Sequence, residues 1–209
     1  MTVYTLFSQG ATGTGGVTVD AQAYTLGVQF TVSVSGATLT AVYFYSDTGA
    51  AALPQTIALF AVSGASLVHS ESASWSGAAG TGWVRAAFSS PPSLTSSASY
   101  KACALQTTAV NWYTHTSNYW SSGAGSGGAS SGPLSAPNNA GGDGGQDTFN
   151  ASATLTYPAT SFNAANYWVD PEVTTSSPAP GPAAVPVPGA GGISGWVMLP
   201  VRGRAGSAV

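Results

Sequence analysis

Apolar and polar residues alternate with a period of two along much of this chain. Between Tyr24 and Val34 the apolar positions are Tyr24, Leu26, Val28, Phe30, Val32 and Val34, with Thr25, Gln29, Thr31 and Ser33 among the residues between them. That spacing predicts a strand with one buried and one wetted face. A turn at Ser35-Gly36 follows. In Leu39–Tyr45 apolar residues occupy both parities, the pattern of a central strand covered on both faces. Further strands are predicted at Val3–Phe7, Thr56–Val62, Leu67–Ala73, Trp83–Phe88, Tyr100–Leu105, Ala153–Tyr157 and Tyr167–Val173, most of them separated by Gly, Pro, Ser or Asn clusters. No segment reads as a helix, and there is no internal repeat. About eight or nine short strands at this spacing predict an all-β fold, an antiparallel β-sandwich of jelly-roll type, over residues 1–173. Leu26, Val28, Phe30, Val32, Tyr43, Leu59, Trp83 and Cys103 are its predicted core.

Two stretches interrupt the alternation. Ser121 to Gly145 is rich in Gly, Ser and Ala, contains Pro133 and Pro137, and predicts a long surface loop. Residues 174–192 carry Pro178, Pro180, Pro182, Pro186 and Pro188, the composition of an extended, semi-rigid linker. Beyond it, residues 193–209 begin with an apolar run that includes Trp196, Val197, Met198 and Leu199, followed by Arg202 and Arg204. An apolar plug and two cations at the end of a tether have the form of an anchoring peptide for another subunit.

Composition narrows the function classes. Charged residues are 5% of the 209, where an ordinary soluble domain has roughly 25%. The net charge of −3 excludes a basic nucleic-acid footprint. With 27 Gly and 13 Pro the chain is poorly suited to long helices. No run of eighteen apolar residues is present to cross a membrane. Met1–Phe7 has neither the basic start nor the long apolar run of a secretory signal. A β-rich, nearly uncharged chain read this way is expected to assemble in a host cytoplasm into a particle, with an extracellular location as the alternative.

Candidate chemistry is sparse. Cys103, the single cysteine, sits in an alternating Lys101–Leu105 stretch and reads as a core thiol rather than a nucleophile. Asp170 and Glu172 share a parity, as a glycosidase pair could, but Pro171 lies between them and a backbone-bonded structural role fits better. Asp143 and Asp147 could offer oxygen to Ca²⁺, without the regular spacing of a calcium loop. His115 reads as a lone surface histidine. No catalytic residue and no cofactor are expected. Trp112, Tyr113, Tyr119 and Trp120, interleaved with Asn111, Thr114, Thr116 and Asn118, have two readings. Ring faces bracketed by amides and hydroxyls suit a sugar, and the same rings could instead cap the core or pack beneath the glycine-rich segment. Trp75, Trp83 and Trp168 read as core.

Several segments, in order, resemble a known family, domain of unknown function 4082. They are Tyr24–Phe30 with Val34–Gly36 and Ala41–Tyr45; Ile57–Phe60 with Gly64, Leu67-Val68, Gly82–Val84, Phe88, Pro91 and Tyr100; Gly132–Pro137; and Ser161–Asp170, which ends in Asn-Tyr-Trp-Val-Asp. Phe60, where related modules usually carry Trp, and the lengthened glycine-rich segment depart from the pattern. The resemblance implies a β-sandwich module of the kind found in secreted bacterial carbohydrate-related proteins and in phage-encoded proteins. Two functions are therefore expected to compete. One is a structural component of a bacteriophage virion, a minor tail protein or capsid decoration present in repeated copies, held to other virion proteins by its C-terminal tail and able to bind host glycans. The other is a carbohydrate-binding module of a secreted bacterial protein.

Overall fold

The computed structural model describes residues 1–13, 16–138 and 145–176. Two antiparallel sheets pack face to face as a β-sandwich. The first runs in the order β1 (Thr2–Thr5), β12 (Val169–Thr175), β3 (Ala37–Ser46), β6 (Gly82–Ala87), with the short β7 (Ser93–Leu94) also paired to β3. The second runs β5 (Ser66–Ser72), β4 (Thr56–Ala61), β8 (Ser99–Gln106), β2 (Tyr24–Val32), β10 (Leu134–Ala136), β9 (Ala129–Ser131), and β11 (Asp147–Ala151) also pairs with β2. The core between them takes alternate residues from both sheets, among them Leu26, Val28, Phe30, Leu39, Phe44, Leu59 and Val84. Burying such side chains contributes roughly 1.5–3 kcal/mol each before chain entropy is set against it.

Most predicted strands are present, with ends shifted by a residue or two. β12 continues to Thr175, so Thr174 and Thr175 belong to the sheet rather than to a linker. Four expectations need correction. The glycine-rich segment is not one open loop: Ala129–Ser131 and Leu134–Ala136 form a hairpin that docks on β2. Its two-residue turn is Gly132-Pro133, and Gly132 takes a φ of 55°, open to glycine at little cost. Ala153–Tyr157 is not a strand. It crosses the outer face of the second sheet, where Leu155 and Tyr157 cover Ala58, Phe60 and Cys103. That cover also removes the wetted face expected for β2: Thr25 and Gln29 are buried, the latter beneath Gln146. Finally, Tyr43 and Trp83 are half-buried on the outside of the first sheet, whereas the other predicted core residues are buried.

Candidate functional site

After β8 the chain runs extended through Trp112–Thr116, bridged to Val17 on one side and Asn166 on the other. Side chains of an extended segment alternate, and here alternation divides the two roles. Thr114 turns inward to donate to the Gly16 carbonyl at 2.5 Å. Tyr113 and His115 border a cleft of about 350 Å³. Segments distant in sequence complete it: Thr18 and Asp20 from the stretch before β2, Tyr24 and Leu26 from β2, Phe149 from β11, and Phe162 and Tyr167 from the stretch before β12. β11 brings Phe149 opposite Leu26 on β2. Two hydrogen bonds between Phe149 and Thr160, of 2.7 and 3.1 Å, then fasten the stretch that carries Phe162.

The rings meet mostly edge to face. Tyr24 lies 5.5 Å from Tyr113 at 83° and 5.5 Å from Phe149 at 89°, and Phe149 lies 6.2 Å from Tyr167 at 74°. Asp20 Oδ2 accepts hydrogen bonds from the hydroxyls of both Tyr24, at 2.9 Å, and Tyr113, at 2.8 Å. Burial and these bonds push the Tyr24 phenol up to about 12 and raise that of Tyr113 as well. Both hydroxyls thus stay protonated donors. His115 Nδ1 and Thr18 Oγ1 are hydrogen-bonded at 2.9 Å. Burial holds the His115 imidazole below its ordinary range, with Asp20 pulling weakly the other way. His115 is therefore a neutral member of the cleft wall, not the lone surface histidine expected.

The predicted sugar-binding rings divide. Trp112 and Trp120, 0% and 1% exposed, are core and have no face to offer a ligand. Trp112 donates its indole N–H to the Gln22 carbonyl and packs 5.4 Å from Phe44. Tyr119 and Trp120 lie beneath the glycine-rich segment: a Cβ at Gly125 would sit 2.4 Å from Tyr119 Cε1 and 2.7 Å from Trp120 Cε3. Only Tyr113 of the four reaches the cleft. Trp75, expected in the core, is half-buried, while Trp168 is buried.

The acidic residues are engaged elsewhere. Asp170, buried on β12, accepts the backbone N–H groups of Leu6 at 2.8 Å and Phe7 at 3.2 Å, and the Gln9 amide at 3.1 Å. Glu172 receives the Arg85 guanidinium in two bonds of 2.8 and 2.6 Å, and the Thr40 hydroxyl at 2.7 Å. Glu71 joins His69 at 2.8 Å and caps the Ser89 and Ser90 amides. Asp147 points into the protein, its Oδ2 accepting the Tyr167 N–H at 2.8 Å, which leaves it unsuited to an open calcium loop. Among the described residues no three His, Cys, Asp or Glu side chains group as metal ligands. Cys103 is fully buried and burial pushes its thiol up, away from nucleophilic character. Asp143 and the predicted anchor residues Trp196, Val197, Met198, Leu199, Arg202 and Arg204 lie outside the described residues.

The cleft was not foreseen because its rings come from four separate stretches. Tyr24 and Tyr167 read as strand residues, and Phe149 as nothing in particular. Besides Tyr113, Phe162, 51% exposed, carried a signal, a large aromatic between Ser161 and Asn163. No curated protein and no solved structure matches the chain. The sequence model of one family, described as a domain of unknown function (DUF4082), matches residues 11–169, a span that holds β2 through β11 and every wall of the cleft. The chain belongs to the DUF4082 family.

Proposed function

We propose that this protein is a non-catalytic recognition module of a bacteriophage virion, a minor tail component or capsid decoration that binds host-surface glycans in the aromatic cleft. The cleft carries the reading. It is concave, of a size that suits a small ligand, walled by rings from four chain segments and supplied with a few polar groups at one side. The carboxylates that acid–base chemistry would need support the non-catalytic part, since Asp170 and Glu172 are bound to backbone, Gln9, Arg85 and Thr40. Display on a particle is supported by the resemblance to phage-encoded modules and by the sequence beyond β12, a proline-rich stretch ending in apolar and basic residues.

Co-sedimentation of the purified protein with host envelopes tests the binding. Wild type is expected to adsorb, and Phe162→Ala and Tyr24→Ala to weaken adsorption about fivefold each, the equivalent of ~1 kcal/mol per aromatic contact. Trp112→Ala, by contrast, is expected to unfold the domain. Adsorption untouched by the two cleft variants would remove the cleft from the account. Immunogold labelling of purified particles tests the location; particles without label contradict it.

A further inference from the structure

The cleft offers a ligand ring surface and one carboxylate, and little else. Rings at near-right angles that all border one cavity enclose it on several sides: Tyr24 with Tyr113, Tyr24 with Phe149, and Phe149 with Tyr167. Phe162 extends the wall outward, 6.1 Å from His115 at 79°. The polar groups are largely committed to one another. The Tyr24 and Tyr113 hydroxyl hydrogens go to Asp20, and the Thr18 hydroxyl is bonded to His115 Nδ1.

These features discriminate among ligands. A primary ammonium brings three N–H donors that need acceptors, and a polyhydroxy face needs several donors and acceptors together. A quaternary ammonium brings no donor hydrogen. Its methyl groups are content against rings, while its charge is attracted by the ring quadrupoles and by a nearby carboxylate. Among the described residues the cleft is lined by one carboxylate, Asp20, and by no Lys or Arg. The other titratable groups among its described lining residues are the three phenols and His115, whose burial favours the uncharged imidazole.

We infer that the cleft recognises a quaternary ammonium group of choline type, with Tyr24, Tyr113, Phe149, Phe162 and Tyr167 as its walls and Asp20 as its counter-charge. The inference rests on the cleft being the ligand site of the preceding reading, and it names the substituent that a host-surface glycan presents there.

Calorimetric titration of the full chain with choline, and with dimethylbutanol as the uncharged isostere of the same shape, separates charge from shape. Choline is expected to bind about tenfold more tightly than the isostere, the scale of one desolvated cation–π contact plus a carboxylate. Asp20→Asn keeps an oxygen to accept the two hydroxyls, and is expected to lower choline affinity to that of the isostere while leaving the isostere unchanged. Phe162→Ala, at an exposed rim position that the fold does not need, is expected to weaken both. The choline methyl protons should move upfield on binding, as protons above ring faces do. Equal affinity for the two probes, no choline binding to folded wild type, or an Asp20→Asn variant that binds choline as wild type does would each overturn the inference. Envelope adsorption that free choline fails to compete, but neutral sugars do, overturns it while leaving the glycan reading standing. Choline binding together with capture by phosphatidylcholine vesicles and no adsorption to envelope glycans supports the ammonium assignment and removes the glycan source.

Discussion

Asp170 joins the N-terminal strand to the rest of the molecule through three N–H donors, yet it is buried. Burial pushes its carboxyl up to about 8 against the pull of those donors, and burial raises Asp147 well above the usual carboxylate range too. In the unfolded chain an Asp titrates near 3.9. Folding therefore takes up a proton, and the stability that goes with it is complete below about pH 4 and lost as pH rises through about 8. Urea unfolding at pH 5 and pH 9 should find the domain more stable at pH 5. Asp170→Asn should flatten that difference, at a cost of about 1–3 kcal/mol from an N–H left without an acceptor. Greater stability at pH 9, or an unchanged pH profile in the variant, would contradict the assignment. His115 acts in the opposite sense, its folded value being lowered. Acidification charges it in a cleft shared with Asp20 and the phenols of Tyr24, Tyr113 and Tyr167. Choline affinity is accordingly expected to fall on acidification, at a pH below the ordinary histidine value of about 6.5. Affinity that rises on acidification would count against His115 facing the bound ammonium in the wall.

At the level of elements, the outer face of β2 is covered at unusually close range. Gly27 faces Cys103 on β8 and Pro158 in the covering segment: a Cβ there would stand 2.6 Å from Cys103 Sγ and 3.1 Å from Pro158 Cγ. Gly27→Ala is expected to destabilise the domain by about 1–3 kcal/mol through overpacking. Cys103→Ala removes the nearer atom, so the double variant should lose less than the sum of the single losses. Strict additivity in denaturant unfolding would show that the sulfur is not the obstacle. The same crossing explains why part of the fold was legible in the sequence and part was not. The period-two run Tyr24–Val32 and the apolar run in β3 were readable as strands, but not their burial, since Thr25 and Gln29 of β2 are buried and Tyr43 of β3 is half-buried. Ala153–Tyr157 alternates as well, but it packs Leu155 and Tyr157 on a sheet face without pairing to a strand, and alternation does not distinguish these cases. β9 and β10 are three residues each, too short for any period to show, and their only sign was Gly132-Pro133. The four aromatics from Trp112 to Trp120 were visible as a cluster, yet which rings face water depends on where the glycine-rich segment lies, a tertiary matter.

For the whole molecule, the described sandwich closes on itself. β1 and β12, the first and last described strands, pair from Thr2↔Thr175 to Thr5↔Glu172, so the described core draws on nothing beyond Ser176. A chain ended after residue 176 is expected to melt within a few degrees of the full chain and to keep choline binding, while losing incorporation into particles if residues 193–209 are the anchor. Loss of folding in the truncated chain would show that the sandwich depends on residues 177–209. The central claim, that the cleft is where this module meets its ligand, is tested most directly by an amide-resolved NMR titration of the domain with host envelope glycan. The account predicts shifts concentrated at Thr18, Asp20, Tyr24, Tyr113, His115 and Phe162, with no release of reducing ends during the experiment. Shifts centred instead on the exposed Leu67 and Val68 of edge strand β5, or cleavage of the glycan, would contradict it.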